Sequence, residues 1–372
     1  MTSIAFVWDN FGPTHVDRCE AVAKAFGPSV KVVGLELFSK SDTYGWVSET
    51  GSSFRKITLF PGGSRSTTSA FAVAARIVSK CLREGLNHVF LCHYDYTAIL
   101  LAAAALRLTG RRVYAMADSK FDDYSRRLWR EVAKSLYYLP YQGGISCKGR
   151  ASDYMRFLGL PAARIVDGYD TLSIDRIRRL AGKPPAPGGT AYDERHFTIV
   201  ARFVPKKNLK MALAAYALYR QQTASPRALH LCGSGPLEAE LRAQVSALGL
   251  EDSVVFHGFV QTTDIARILA DSVALILPSI EEQFGLVTIE AQAMGLPVIL
   301  SDNCGSRDDL VRSGVNGFVI EPDNPQGLAF FMTMLGEDQD LWTHVSAAAS
   351  QFAERGDVGR FVEGVTKLAG KA

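Results

Sequence analysis

Long apolar runs, paired cysteines and a basic leader are all missing from this sequence. The longest apolar stretch, residues 98–106, is only about half of a bilayer span. Six cysteines are scattered without a C-x-x-C pair, which argues against a disulfide framework or a zinc site. The first residues reach Asp9 after a short apolar run that is typical of a buried strand. These absences predict a soluble, cytoplasmic protein whose thiols are buried in a reducing compartment.

The net charge of +3 conceals an uneven distribution. Residues 1–190 hold 26 Lys and Arg against 16 Asp and Glu, whereas residues 191–372 hold 15 against 22. Either the two halves have solvated surfaces of unequal composition, or the basic half faces an anionic acceptor or a membrane. The second alternative predicts a peripheral protein at the inner face of the membrane. The basic residues are spread over a whole half, which does not indicate nucleic-acid binding.

The length of 372 residues suggests two domains. In the second half, short apolar strands alternate with helical patterns, and the first half repeats this less regularly. Such alternation predicts an α/β chain with parallel sheets that are covered on both faces. We expect an N-terminal domain over 1–180, a linker rich in Pro and Gly over 181–192, and a C-terminal domain over 193–340. Residues 341–372 are expected to form helices that could pack back on the N-terminal domain.

Two loops that follow predicted strands of the second half suit phosphate groups. Arg202 and Lys207 lie in a basic loop, where Arg grips two oxygens and Lys adds a point charge. Gly233 and Gly235 lie in the next loop, where glycine allows backbone N–H groups to approach an anion. A solvated basic loop and a tight turn are the alternatives when each is taken alone.

A third loop follows the most apolar predicted strand, residues 273–277. Gly285 and Leu286 are expected to open a helix, whose first N–H groups would face an anion. Glu282 precedes this helix and Glu290 lies within it, so the two carboxylates can reach different hydroxyl groups of one ligand. Acidic residues placed for the helix dipole are the alternative, which accounts for Glu282 but not for the whole string.

In their order along the chain, these segments resemble the retaining GT-B glycosyltransferases of family four, the glycosyl transferases group 1. The matching motifs are Arg202 to Lys207, Gly233-Ser-Gly-Pro236, 255–260, Glu282 to Glu290, 293–298 and 314–317. The resemblance covers roughly residues 195–325. It implies an α/β fold of two Rossmann-like doubly wound domains facing each other across a cleft.

The resemblance also implies roles for individual residues. Arg202 and Lys207 would bind the donor diphosphate, and Glu282 would lie beside the donor sugar. Glu290 would bind the ribose hydroxyls. The remaining donor-binding positions would be contributed by Gly12, Gly233, Gly235, Gly258, Phe259, Val260, Phe284, Gly285 and Leu286.

The family's reaction transfers a sugar with retention of configuration and without a metal. We therefore expect no cofactor beyond a UDP- or GDP-linked hexose donor, and a carbohydrate or lipid-linked hydroxyl as acceptor. Cations at the site would stabilise the departing diphosphate. A non-catalytic nucleotide-sugar-binding protein and a GT-B phosphorylase or epimerase remain alternatives.

One family feature is missing from its expected place. The family often carries a histidine after a central N-domain strand, but residues 114–123 contain none. Asp118 is the first substitute, as a base or a group that positions the acceptor. His93, after the preceding predicted strand, is the second. An ordinary strand-end Asp and a structural His are the respective alternatives.

A helical pattern near residues 126–136 combines cations with Leu128, Trp129 and Leu136. That face could touch a lipid-linked or anionic acceptor. A solvated amphipathic helix is the more common explanation of such a pattern.

Overall fold

The computed structural model describes residues 2–39 and 50–370. They form two compact units. The first contains the described residues up to Ser173 together with those from Asp357 onward, and the second is Ile174–Gly356. Within the described residues, no helix combines the length and apolarity that crossing a membrane requires.

The first unit is a parallel sheet of seven described strands in the order β3-β2-β1-β4-β5-β6-β7. The strands are β1 (Ser3–Trp8), β2 (Lys31–Phe38), β3 (Arg55–Phe60), β4 (His88–Leu91), β5 (Arg112–Ala117), β6 (Gly144–Ser146) and β7 (Ile165–Asp167). The helices between them are α1 (Pro13–Phe26), α2 (Ala70–Arg83), α3 (Thr97–Leu108), α4 (Leu128–Tyr138) and α5 (Arg150–Phe157).

The second unit is a parallel sheet of six strands in the order β10-β9-β8-β11-β12-β13. The strands are β8 (His196–Val200), β9 (Leu229–Cys232), β10 (Val254–Gly258), β11 (Ser272–Leu277), β12 (Val298–Ser301) and β13 (Gly317–Ile320). The helices are α6 (Ile174–Ala181), α7 (Leu209–Gln222), α8 (Glu238–Ala247), α9 (Thr262–Ala270), α10 (Val287–Ala293), α11 (Pro325–Glu337) and α12 (Gln339–Phe352). The last helix, α13 (Val358–Ala369), is part of the first unit.

Two inner strands, β1 and β11, are buried along their whole length, in agreement with their largely apolar sequences. Strands that are covered by helices on both faces have no solvent side, so they do not alternate between apolar and polar residues. The two doubly wound Rossmann-like sheets confirm the predicted fold class.

Each sheet has one point at which its strand order reverses. In the first sheet this point lies between β1 and β4, and in the second it lies between β8 and β11. Ligands of open α/β sheets bind at such points, outside the carboxyl ends of the strands. The loops that follow these four strands are therefore the places in which to look for a site.

The segment rich in Pro and Gly after α6 is held within the second unit. The Ala186 N–H donates to the Met294 carbonyl at 2.8 Å. The Arg195 guanidinium donates to the carbonyls of Gly188 (2.7 Å) and Thr190 (3.0 Å). This segment is ordered by hydrogen bonds to its backbone, which its composition alone does not reveal.

Candidate active site

The loops after β8 and β11 are joined at the reversal point of the second sheet. The Ile280 N–H donates to the Lys206 carbonyl at 2.8 Å. The Asn208 amide donates to the carbonyls of Pro278 at 3.0 Å and Pro322 at 2.6 Å. Asn208 has a φ of 58°, a left-handed conformation that Asn tolerates better than most residues. Asn208 therefore fixes the end of the basic loop against the loop that carries Glu282.

Lys207 and Glu282, 75 positions apart, form an ion pair between these two loops. The Lys207 Nζ donates to Glu282 Oε2, and the two side chains are only 13% and 14% exposed. The Ser279 hydroxyl donates to the same oxygen at 3.3 Å. Arg202 is exposed at the start of the basic loop. Two of the predicted catalytic groups are thus in direct contact at the edge of the sheet.

The turn between β9 and α8 packs tightly against the basic loop. The Phe203 N–H donates to the Ser234 carbonyl at 2.8 Å. A Cβ on Gly233 would lie 1.8 Å from the Ala201 carbonyl oxygen, and one on Gly235 would lie 2.6 Å from the Phe203 carbonyl oxygen. These glycines are therefore required for the close approach of two backbones. Phosphate contact remains a prediction for them.

The end of β10 lies beside the same turn. The Gly258 carbonyl accepts a hydrogen bond from the Gly233 N–H at 2.7 Å. Phe259 follows with 54% of its side chain exposed, and Val260 is half-buried. An exposed aromatic ring beside this turn is suited to stacking against a flat heterocycle.

The helix α10 begins where the predicted Phe-Gly-Leu string ends. Phe284 is buried, and its carbonyl accepts from the Ser306 N–H at 2.9 Å. Gly285 has a φ of 98°, and a Cβ there would lie 2.8 Å from the Leu277 side chain. The Glu290 N–H donates to the Leu286 carbonyl at 3.4 Å, so the half-buried Glu290 lies one turn inside the helix. The positive φ of Gly285 and the nearness of the Leu277 side chain both favour glycine at position 285.

The edge of the second sheet therefore combines three kinds of group within one unit. Cations lie in the loop after β8, carboxylates lie around the start of α10, and an exposed ring lies after β10. Cations bind phosphate oxygens, carboxylates accept hydrogen bonds from hydroxyls, and rings stack on bases. This combination is chemically suited to a nucleotide that carries a sugar.

The reversal point of the first sheet carries a different set of side chains. His93 follows β4 with a φ of 60°, and its Nε2 lies 3.8 Å from Asp9 Oδ1 at the end of β1. Asp9 Oδ2 is 2.5 Å from the Nε of Arg65, whose guanidinium lies 4.7 Å from the ring centre of Tyr96. Burial lowers the pKa of His93, and Arg65 lowers it further while Asp9 opposes both. The positive φ of His93 is a strained backbone conformation, which often marks a functional position.

Gly12 caps the start of α1 in the same region. Its N–H donates to His15 Nδ1 at 3.0 Å. Its φ of −90° is open to any residue, so conformation does not explain the glycine. In this arrangement the Gly12 N–H already has a partner, and phosphate binding by Gly12 remains a prediction.

Asp118 is half-buried directly after β5. Burial is the main cause that raises its pKa to about 7, and the neighbouring Asp170 carboxylate adds to the rise. Arg18 opposes the shift, and its guanidinium pairs with Asp170 at 3.0 Å. A carboxyl that titrates near neutral pH is matched to general-base work.

Sequence reasoning missed Asp9, Arg65 and Arg18 as members of this region. Asp9 stands three positions before the predicted Gly12, so its place at a strand end could have indicated it. Arg18 and Arg65 meet their partners only through the fold, because no local pattern links Arg18 with Asp170, 152 positions away.

Comparison with solved structures identifies the fold. The chain superimposes on the apo form of the lipopolysaccharide outer core galactosyltransferase WaaB with a TM-score of 0.70 and 16% identity, covering 99% of both chains. It superimposes on Anabaena HepE in complex with UDP with a TM-score of 0.71 and 19% identity, again covering 99% of both. At this level of identity the likeness establishes the fold, which is that of GT-B glycosyltransferases.

The sequence match to a protein family lies within the second unit. Residues 186–352 match the sequence profile of the family described as Glycosyl transferases group 1, which confirms the resemblance predicted from the motifs. An uncharacterized glycosyltransferase of Methanocaldococcus jannaschii is 29% identical over 38% of this chain and 36% of its own length. A D-inositol 3-phosphate glycosyltransferase of Streptomyces scabiei is 31% identical over 55% of this chain and 48% of its own length. The chain therefore spans less than half the length of these relatives.

Proposed function

We propose that the protein is a retaining glycosyltransferase. It transfers a hexose from a UDP- or GDP-sugar to a hydroxyl of a glycan, glycolipid or related acceptor in polysaccharide or glycoconjugate biosynthesis. The observation that carries the proposal is the Lys207–Glu282 contact at the reversal point of the second sheet, within the segment that matches the family.

The second unit supplies the leaving-group chemistry in this proposal. Arg202 and Lys207 bind the diphosphate and stabilise the negative charge that develops as the sugar departs. Glu282 holds the Lys207 ammonium in place until the donor arrives. Glu290 accepts hydrogen bonds from the ribose, and Phe259 borders the base. No metal is required, because side-chain cations neutralise the phosphates.

The first unit supplies the acceptor chemistry. Asp118 is proposed as the base or positioning group for the acceptor hydroxyl, supported by its raised pKa. His93 follows β4, a strand at the reversal point of its sheet, and it is the second candidate for the role of the histidine that residues 114–123 lack.

Thermal shift with nucleotide sugars tests the donor site. A donor that binds the folded state should raise Tm in the wild type, and Lys207→Ala should abolish most of that rise. Lys210→Ala is the matched control, because Lys210 lies three positions away but is 55% exposed and pairs with Glu240. Its response should equal that of the wild type. If no nucleotide sugar stabilises the wild type, or if both variants respond equally, the donor site is assigned wrongly.

Analysis of the reaction products distinguishes a glycosyltransferase from a phosphorylase and from a non-catalytic binding protein. Turnover that depends on added inorganic phosphate would indicate the phosphorylase. Donor binding without transfer or hydrolysis would indicate the binding protein.

Asp118→Asn should raise the stability of the first unit while it lowers activity. A raised pKa means that the folded state retains a proton that the unfolded state loses, so the wild type loses stability between pH 3.8 and about 7. Asparagine avoids this loss, and we expect a gain of up to about 4 kcal/mol above that range. Hydrogen exchange of β4–β6 peptides as a function of pH measures it. Asp153→Asn, at a position whose side chain is 70% exposed, should change neither quantity; equal responses of the two variants would contradict the assignment.

A further inference from the structure

The helix α4 directs its apolar side chains toward solvent. Five of them are exposed: Leu128 (61%), Trp129 (65%), Val132 (57%), Leu136 (62%) and Leu139 just after the helix (76%). A helix on the surface of a globular unit normally buries its apolar stripe. Scattered exposed apolar residues are ordinary, but a continuous face of this kind marks an interaction surface.

The buried side of α4 holds the charged Glu131 together with the aromatic Tyr138. Glu131 is only 3% exposed, and it accepts hydrogen bonds from the Tyr154 hydroxyl, Arg126 (3.2 Å) and Lys134 (2.9 Å). Arg126 also donates to the Lys120 carbonyl at 2.7 Å. These charge-assisted bonds fix the rotation of the helix about its axis. The helix is therefore inverted, with its ion pairs inside and its apolar face outside.

Exposed aromatic and basic residues also occur in α4, in the segment before it and on α5. Phe121 and Phe157 are 45% and 44% exposed, and their ring centres are 5.6 Å apart. Arg127 and Arg130 are exposed, and the Arg130 guanidinium lies 5.2 Å from the ring centre of Trp129. Aromatic rings and long cationic side chains are the groups that prefer the headgroup region of a bilayer. The cations make the complement of this face an anionic surface.

We propose that the exposed apolar face of α4 inserts into the interface of an anionic lipid bilayer. The 11 residues of α4 span roughly 16 Å, which suits a helix that lies in the membrane plane. Leu128, Trp129, Val132, Leu136 and Leu139 enter the acyl boundary. Arg127 and Arg130 meet lipid phosphates. The helix begins at Leu128, ten positions after Asp118, so it lies on the connection that follows the proposed acceptor group. The membrane contact does not depend on the proposed transferase activity.

Co-sedimentation of the full chain with lipid vesicles tests the proposal. We expect binding to vesicles of phosphatidylcholine with phosphatidylglycerol, and much weaker binding to phosphatidylcholine alone. Trp129→Glu with Leu136→Glu should reduce binding at least about tenfold. Arg127→Ser with Arg130→Ser should reduce it about fivefold for each cation, only on anionic vesicles. Leu108→Glu, at a position that is 90% exposed on α3, should bind like the wild type.

Two further measurements separate loss of binding from loss of fold and identify another occupant. Thermal unfolding should be the same for the glutamate variant and the wild type, because both positions are exposed. Anionic vesicles should shift the tryptophan emission of the wild type to the blue, and Trp129→Phe should remove that shift. Unchanged vesicle binding by the glutamate variant would overturn the proposal. So would a wild type that ignores vesicles and forms oligomers that the variant dissociates, because the face would then bind a second copy of this chain.

Discussion

Replacing Lys207 by alanine is expected to lower kcat/KM for sugar transfer by about 10²–10³-fold. The change removes a cation aimed at the leaving diphosphate. It also leaves the Glu282 carboxylate, 14% exposed, without its ion-pair partner, and an unpaired carboxylate repels the phosphates. Initial rates with the donor that the thermal shift identifies would measure the effect. The rate of donor hydrolysis serves where the acceptor is unknown.

The division of this loss between kcat and KM reports what Lys207 does. A fall in kcat shows that the ammonium acts mainly in the transition state, whereas a rise in KM alone shows uniform binding. We expect the fall in kcat, because negative charge on the diphosphate grows as the bond to the sugar breaks.

Glu282→Gln, alone and combined with Lys207→Ala, tests whether the ion pair between the two side chains matters for transfer. Glutamine keeps the shape of the side chain and removes the charge, so Lys207 loses the partner that holds its ammonium in place, and a loss of activity is expected. If the pair acts as a unit, the two single losses should not add in the double variant. Lys210→Ala should stay within about twofold of the wild type, because surface ion pairs contribute little. If Lys210→Ala lowered activity as much as Lys207→Ala does, the Lys207–Glu282 ion pair would have no specific role in transfer.

The strands and the strand-end loops of the second unit were predictable because their signals are local. The apolar run of β11 and the glycines before α8 can each be recognised from a few consecutive residues. Strands β6 and β7 have three residues each and lack such a run, and β3 begins with Arg55 and Lys56. Their pairing with neighbouring strands defines them as strands, and pairing is not a local property.

The arrangement of the candidate site also depends on strand pairing, which the local sequence does not reveal. The motifs predicted Lys207 and Glu282 as functional groups, but their contact depends on which strands are neighbours. The interpretation that favoured Asp118 over His93 treated β5 as the relevant strand. His93 follows β4, which lies at the reversal point beside β1, and this strand order cannot be seen in the sequence. The periodicity of α4 indicated an amphipathic helix, but only the contacts of Glu131 reveal which face is buried.

Gly233→Ala is expected to destabilise the second unit by about 3 kcal/mol or more. Its Cβ would lie 1.8 Å from the Ala201 carbonyl oxygen, so the backbones of two loops must separate. The φ of 146° adds strain for any residue with a side chain. The hydrogen bond from the Gly233 N–H to the Gly258 carbonyl would also be disturbed. Urea unfolding, with hydrogen exchange of β8 and β9, would measure the loss.

Gly249→Ala isolates the steric part of that loss. Gly249 also has a positive φ, of 64°, but a Cβ there would have no heavy atom within 4 Å. Its replacement should cost only about 1 kcal/mol, because strain remains while the clash is absent. Equal costs for the two variants would show that the turn yields easily and that the close approach is not required. With the expected difference, Gly233→Ala should also weaken donor stabilisation, since the basic loop packs on this turn.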